Sequence, residues 1–190
     1  MKTKNGLLVI LPVLWLVGAG CWKSENQIVN SPSATNLLTN ASFEIGQVAS
    51  LEGWNVNNTD TSFINLSTDT PKGGGLFSAR LRNEWDFAGA LWQTTLPSSG
   101  THRYLLNASG KVVPSGPIAS GWMKIEIKHA GVWSISKSVQ FSDTIWTSIS
   151  ILDTLTADSG DSIAVKLSGD FHQWSFGHAL FDLVKLERLD

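Results

Sequence analysis

The chain has one cysteine in 190 residues, Cys21, so an internal disulfide is excluded and stability has to come from packing. Positive charge is not in excess either: 14 Lys and Arg stand against 16 Asp and Glu, a net charge of −2. That balance offers no basic field for nucleic acid. Histidine is sparse and scattered, at His102, His129, His172 and His178, and neither the H-x-x-x-H nor the H-E-x-x-H spacing that binds zinc occurs. No Gly-x-Ser-x-Gly elbow is present to raise a nucleophilic serine. Gly73-Gly74-Gly75 lacks the Lys-Ser/Thr of a phosphate loop and precedes a strand pattern, which makes it a turn. Long amphipathic helical patterns, internal repeats and low-complexity segments are also missing.

What is present starts with Lys2 and Lys4, an apolar run from Leu7 to Val17, and Gly18-Ala19-Gly20 before Cys21. A positive start, an apolar core too short to span comfortably and small residues at a cut site read as a secretory signal over residues 1–20. The junction resembles the lipobox of bacterial lipoproteins, in which the cysteine is acylated and becomes the mature N-terminus. Gly18 departs from the Leu usual at its position, and the aliphatic Val17 comes one place earlier. This resemblance implies lipidation at Cys21 and an extracytoplasmic protein anchored to a bacterial membrane, gaining roughly 0.8 kcal/mol per buried CH₂ of acyl chain. An ordinary cleaved signal and an uncleaved anchor are the alternatives. Residues 21–35 are polar and read as a tether. Residues 36–190 remain for one domain with a real core. With Lys2 and Lys4 removed, 12 basic residues face 16 acidic ones, a net charge of −4.

Within that domain, short apolar runs alternate with polar residues between Gly, Pro, Asn, Asp and Ser, the pattern of an antiparallel β-sandwich. Strands are predicted at Leu37 to Phe43, Gly53 to Asn57, Ser62 to Ser67, Leu76 to Leu81, Ala90 to Leu96 and His102 to Lys111. Five more are predicted at Gly121 to His129, Val132 to Val139, Thr144 to Leu152, Asp161 to Leu167 and His178 to Leu189. In the strand from Gly121, Met123, Ile125 and Ile127 alternate with Trp122, Lys124 and Glu126, which puts Trp122 on the wet face. In the strand from Val132, the same count puts Trp133, Ile135 and Val139 together on the core side.

Glu44 follows Phe43 near the start of the domain and Asp182 follows Phe181 near its end. Isolated carboxylates in apolar runs are costly to bury without a cation or several donors, so the simplest arrangement brings both to one site. A hard cation such as Ca²⁺ would be its natural occupant.

The run Asn36-Leu37-Leu38-Thr39-Asn40-Ala41-Ser42-Phe43-Glu44 resembles the opening strand of family 4 and family 9 type carbohydrate-binding modules, with Ala41 where those have Gly. Gly53-Trp54, Gly75 to Leu81, Leu91-Trp92-Gln93-Thr94, His102 to Lys111, Thr144 to Thr147 and Phe181 to Leu186 follow in that family's order. The resemblance implies an all-β, jelly-roll, galactose-binding-like sandwich, often with a structural Ca²⁺ tying the first strand to the last. Glu44 and Asp182 look like the acids of that site. Trp54, Trp92 and Trp146 fall where similar modules have packing aromatics.

A sugar site needs an exposed aromatic plane for the apolar face of a pyranose, flanked by groups that hydrogen-bond its hydroxyls. Seven of the nine Trp follow residue 35. Trp85, in the polar run Asn83-Glu84-Trp85-Asp86, is the first candidate, followed by Trp122 and Trp174, with Glu84 and Asp86 as polar neighbours. Glu84 and Asp86 are two apart, a spacing that a solvated loop explains as well as a glycosidase pair does. The sequence reads as a non-catalytic, glycan-binding surface lipoprotein with a polysaccharide or oligosaccharide partner. The alternative is a structural or protein-interaction envelope module that has lost its sugar site.

Overall fold

Residues with β-branched and aromatic side chains in period-two alternation form strands throughout. The computed structural model describes residues 35–58, 60–84, 87–117, 119–170, 172 and 174–190, and these contain strands and turns but no helix. In chain order the strands are β1 (Glu44–Ile45), β2 (Val48–Ala49), β3 (Asn55–Val56), β4 (Ile64–Ser67), β5 (Ser78–Glu84), β6 (Phe87–Ala88) and β7 (Ala90–Thr95). They continue with β8 (Gly100–Pro114), β9 (Gly121–His129), β10 (Val132–Phe141), β11 (Thr147–Ala157), β12 (Ser162–Gly169) and β13 (Phe176–Arg188). Five strands form one sheet in the order β10-β9-β12-β7-β3. Six form the second, β11-β8-β13-β5-β4 with β6 on β5, and β1 and β2 make a small hairpin. The result is the all-β sandwich that the sequence predicts.

The core lies between the two large sheets because each central strand sends alternate apolar residues inward. Met123 and Ile125 of β9, and Ile163, Val165 and Leu167 of β12, meet Leu81, Tyr104, Leu106, Ile151 and Phe181 from the six-stranded sheet. Each such side chain contributes about 1.5–3 kcal/mol on burial. Phe141 stands edge-on to Phe181, ring centroids 5.3 Å apart, in space that Gly110 and Gly121 leave open. The hairpin from β9 to β10 turns on Ala130 and Gly131, both at positive φ, the conformation a two-residue hairpin requires.

The start of the domain runs beside its end, but not as the predicted strand. Residues 37–43 form bends and turns, with Asn40 and Phe43 at positive φ, a conformation that breaks a ladder. Single hydrogen bonds replace the ladder: Leu37 N donates to Leu186 O at 2.8 Å, and Val184 N donates to Ala41 O at 3.0 Å. The Asn36 side chain adds two more, donating to Val184 O and accepting from Leu186 N. The strand expected from Thr144 starts at Thr147, leaving Ile145 exposed in the preceding turn.

Candidate functional site

The outward side of the five-stranded sheet carries side chains in rows set by the ladder register. One row runs Asn55, Trp92, Lys166, Lys124 and Ser138 across β3, β7, β12, β9 and β10. The next holds Thr94, Ala164, Glu126 and Ile135, and a further row ends on Lys128 and Trp133. Between Trp92 and Trp133 lies a cavity of about 450 Å³, lined also by Asn57, Ala90, Glu126, Ala164 and Lys166. That volume falls in the range of small-molecule sites, roughly 300–1,000 Å³. Ala90 and Ala164 are small enough to leave the floor open, while the two indoles stand as walls.

Charged groups surround these rings. Lys128 Nζ lies 5.9 Å from the Trp133 ring centroid, and Lys124 Nζ lies 5.3 Å from that of Trp122. Lys166 Nζ is 3.8 Å from Glu126 Oε1. Burial, and then the Lys166 ammonium beside it, hold Lys124 below the usual lysine value. Trp122 is half-buried on the outward face, as alternation predicts, and its Nε1 donates to Asp170 Oδ1 at 3.4 Å.

Two walls of this cleft overturn the sequence reading. Trp133 is predicted to be a core residue, yet it is 42% exposed and Ile135 57%. The pairing passes from Ile135 with Glu126 to Lys137 with Ile125, so Ser136 is an extra residue in a bulge. One extra residue reverses the parity, which leaves Val139 facing in and Trp133 facing out. Trp92, also predicted in the core, points outward because Leu91 and Gln93 take the inward positions. Gln93 is satisfied there by Thr39, accepting from its N at 2.7 Å and donating to its O at 3.0 Å. Trp146 is half-buried, with Nε1 donating to Asp69 Oδ1 at 2.9 Å. Trp54 does lie in the core, 7% exposed, with its ring centroid 5.3 Å from that of Phe43.

No protein-family model matches this chain, and no curated protein does. Solved structures match its fold. TmCBM61 in complex with β-1,4-galactotriose aligns at a TM-score of 0.56 and 17% identity, covering 82% of this chain and 99% of that one. A family 16 carbohydrate-binding module aligns at 0.56 and 19% identity, covering 80% and 99%. The CBM22-1 xylan-binding domain of Paenibacillus barcinonensis Xyn10C aligns at 0.58 and 12% identity, covering 83% and 96%. The fold is that of the carbohydrate-binding modules.

In this sandwich, Glu44 and Asp182 come together at the Gly73-Gly74-Gly75 turn. A Cβ on Gly74 would overlap Asp182 Oδ2, and one on Gly75 would overlap Glu44 Oε1, so both carboxylates press on the same stretch of glycine backbone. Glu44 Oε2 accepts from Leu76 N at 2.8 Å, and Asp182 Oδ1 accepts from Leu183 N at 2.7 Å. Asp182 is fully buried and its Oδ2 has no partner among the described residues. Burial, with Glu44 adding to it, pushes the Asp182 carboxyl up to about 7 against the opposing Leu183 hydrogen bond. An orphaned buried oxygen beside a second carboxylate fits a hard cation, and Glu44 and Asp182 would hold it together with backbone carbonyls. The other acidic group, His129, Asp158 and Asp161, is satisfied internally: Asp161 Oδ2 lies 2.9 Å from His129 Nδ1 and accepts from Asp158 N at 2.8 Å.

Of the remaining predicted residues, Trp85, Asp86 and Cys21 lie outside the described residues. Glu84 sits on the outer side of the six-stranded sheet, across the sandwich from Trp122, and pairs with Arg82 at 2.8 Å. It borders a cavity of about 390 Å³ in which Arg80 Nη2 lies 3.2 Å from His178 Nδ1. Burial, then Arg80 and Arg82, press His178 down to about 4, so it is neutral at physiological pH. Trp174 is 53% exposed in the loop before β13, and that loop is tied to Trp122 through Asp170, which accepts from both His172 N and Trp122 Nε1. Trp92, Trp133, Glu126 and Lys166 line this candidate cleft, and the sequence reading names none of them as a ligand-binding candidate. The alternation of Leu91 and Gln93 around Trp92 was the available signal.

Proposed function

We propose that this chain is a non-catalytic glycan-binding module, held at a bacterial membrane through acylated Cys21. One observation carries the binding reading: Trp92 and Trp133 flank an open cavity of about 450 Å³ on a rigid sheet, with polar side chains at its rim. Indole planes take the apolar face of a pyranose, and neighbouring amide, ammonium and carboxylate groups meet its hydroxyls. The likeness in fold to a galactotriose-bound module and to a xylan-binding domain supports the same reading. Among the described residues lining the cavity, Glu126 is the one carboxylate, whereas glycoside hydrolysis ordinarily needs two. Glu44 and Asp182 are proposed to hold a structural calcium away from that face.

Affinity electrophoresis of the full chain, made unacylated by Cys21→Ser, tests the reading on a panel of soluble glycans. Retardation by at least one glycan is expected, together with its loss in Trp133→Ala and Trp92→Ala. A blank panel, or retardation that survives both substitutions, refutes glycan binding at this face. For the anchor, metabolic labelling with a fatty acid should mark the wild-type chain and not Cys21→Ser; equal labelling of both refutes acylation at that residue.

A further inference from the structure

We infer that the glycan taken by this face is acidic, with a uronate carboxylate or a sulfate ester placed between Lys124 and Lys166. The inference rests on the glycan-binding reading and names the class of ligand. Its starting point is the ladder register: Lys124 of β9 and Lys166 of β12 are directly opposite each other in the central row. Like charges facing each other across a ladder are destabilising, so the pairing needs an anion to be favourable.

The described residues supply that negative charge only in part: Glu126 and Asp170 favour the charged form of Lys124, but they are outweighed by its burial and by Lys166. The outward positions of the five strands carry three lysines, Lys124, Lys128 and Lys166, and one carboxylate, Glu126. Glu126 reaches Lys166 at 3.8 Å, and Lys124 has no carboxylate within ion-pair distance among the described residues. Asp170, at the Trp122 end, accepts from Ser120 Oγ, His172 N and Trp122 Nε1. Lys124 and Lys128 lie over the faces of Trp122 and Trp133, cation–π contacts rather than direct ion pairs. The cationic face is also out of keeping with the whole chain, whose net charge is −2. An acidic sugar would draw these ammonium groups off the rings into ion pairs, and its own ring would take the uncovered indole.

The test uses the full chain carrying Cys21→Ser in affinity gels containing polygalacturonate, its fully methyl-esterified form, a sulfated galactan and the matching neutral galactan. Retardation is expected from at least one charged polymer, to be weakened steeply by added salt and to be absent from its neutral counterpart. The Lys124→Ala/Lys166→Ala double variant should bind that polymer about tenfold or more weakly, the loss expected for one or more charged hydrogen bonds, with an unchanged melting temperature. Trp133→Ala should lose the binding as well, which separates a built site from simple ion exchange. Equal binding of charged and neutral forms that is indifferent to the lysines but lost in Trp133→Ala overturns the acidic ligand and keeps the glycan reading. Binding that depends on the lysines but survives Trp133→Ala overturns it as ion exchange, and no binding to any glycan removes both.

Discussion

In chelator, the Asp182 carboxyl is carried into the folded protein with one oxygen that no described group satisfies. Asp182→Asn keeps the shape and the Oδ1 that accepts from Leu183 N, and removes the charge. Lifting a carboxyl from 3.8 to about 7 costs roughly 4 kcal/mol, at about 1.36 kcal/mol per pH unit. The sign follows from proton binding. Between pH 3.8 and about 7 the folded state holds more protons at Asp182 than the unfolded chain does, so its contribution makes stability fall as pH rises through that window. His178 acts in the opposite direction: with its folded value pressed to about 4, stability falls as pH drops from 6.5 toward 4. The wild-type profile therefore mixes two opposed slopes, and the difference between variant and wild type isolates Asp182. Urea unfolding followed by tryptophan fluorescence in EDTA should find the two proteins equal near pH 4 and the variant more stable above pH 7, by up to about 4 kcal/mol. Added calcium should reverse the order above pH 7, because only the wild type keeps both carboxylates. A variant no more stable than wild type in EDTA at neutral pH would refute the unpaired buried charge, and no calcium response in wild type would refute the cation.

Three other outcomes are expected. Gly75→Ala should destabilise the protein by roughly 2 kcal/mol or more, since its Cβ meets Glu44 and its φ is +63°, and should blunt the calcium response in a thermal melt. Trp54→Ala should cost about 3–5 kcal/mol in urea unfolding as a core cavity, whereas Trp133→Ala, exposed on an edge strand, should cost about 1 kcal/mol or less and affect binding instead. Deleting Ser136 should remove the bulge and turn Trp133 and Ile135 toward the core, lowering stability and abolishing glycan retardation in affinity gels. Unchanged stability and unchanged iodide quenching of tryptophan in that deletion would show that the bulge does not set the face.

The strands were legible where hydrophobic alternation is unbroken. β9 has the predicted bounds, and Trp122 lies on the predicted face, because Met123 and Ile125 fix its register against the core. The meeting of Glu44 with Asp182 was legible as well, since two acids in apolar surroundings at the ends of a sandwich have few places to go. Two kinds of feature escaped. The opening segment looks like a strand in its side chains, but positive φ at Asn40 and Phe43 is a backbone property that apolar content does not reveal. Trp133 was misplaced because counting by twos fails past a bulge, and nothing in Ser134-Ile135-Ser136-Lys137 marks which residue is extra. The resemblance puts Trp92 in the core, where similar modules have a packing aromatic, but here Gln93 takes the inward position next to it, made tolerable by Thr39 from a distant segment.

The bond from Leu37 N to Leu186 O means that the polypeptide arrives at and departs from the sandwich at nearly one point. A short linker from Arg188 back to Asn36, with new ends opened at the exposed Ser159-Gly160 turn, would give a circular permutant that keeps every ladder. Rearranging the order of the chain in this way would leave the indole cleft untouched, so chain order and binding surface are separable in this protein.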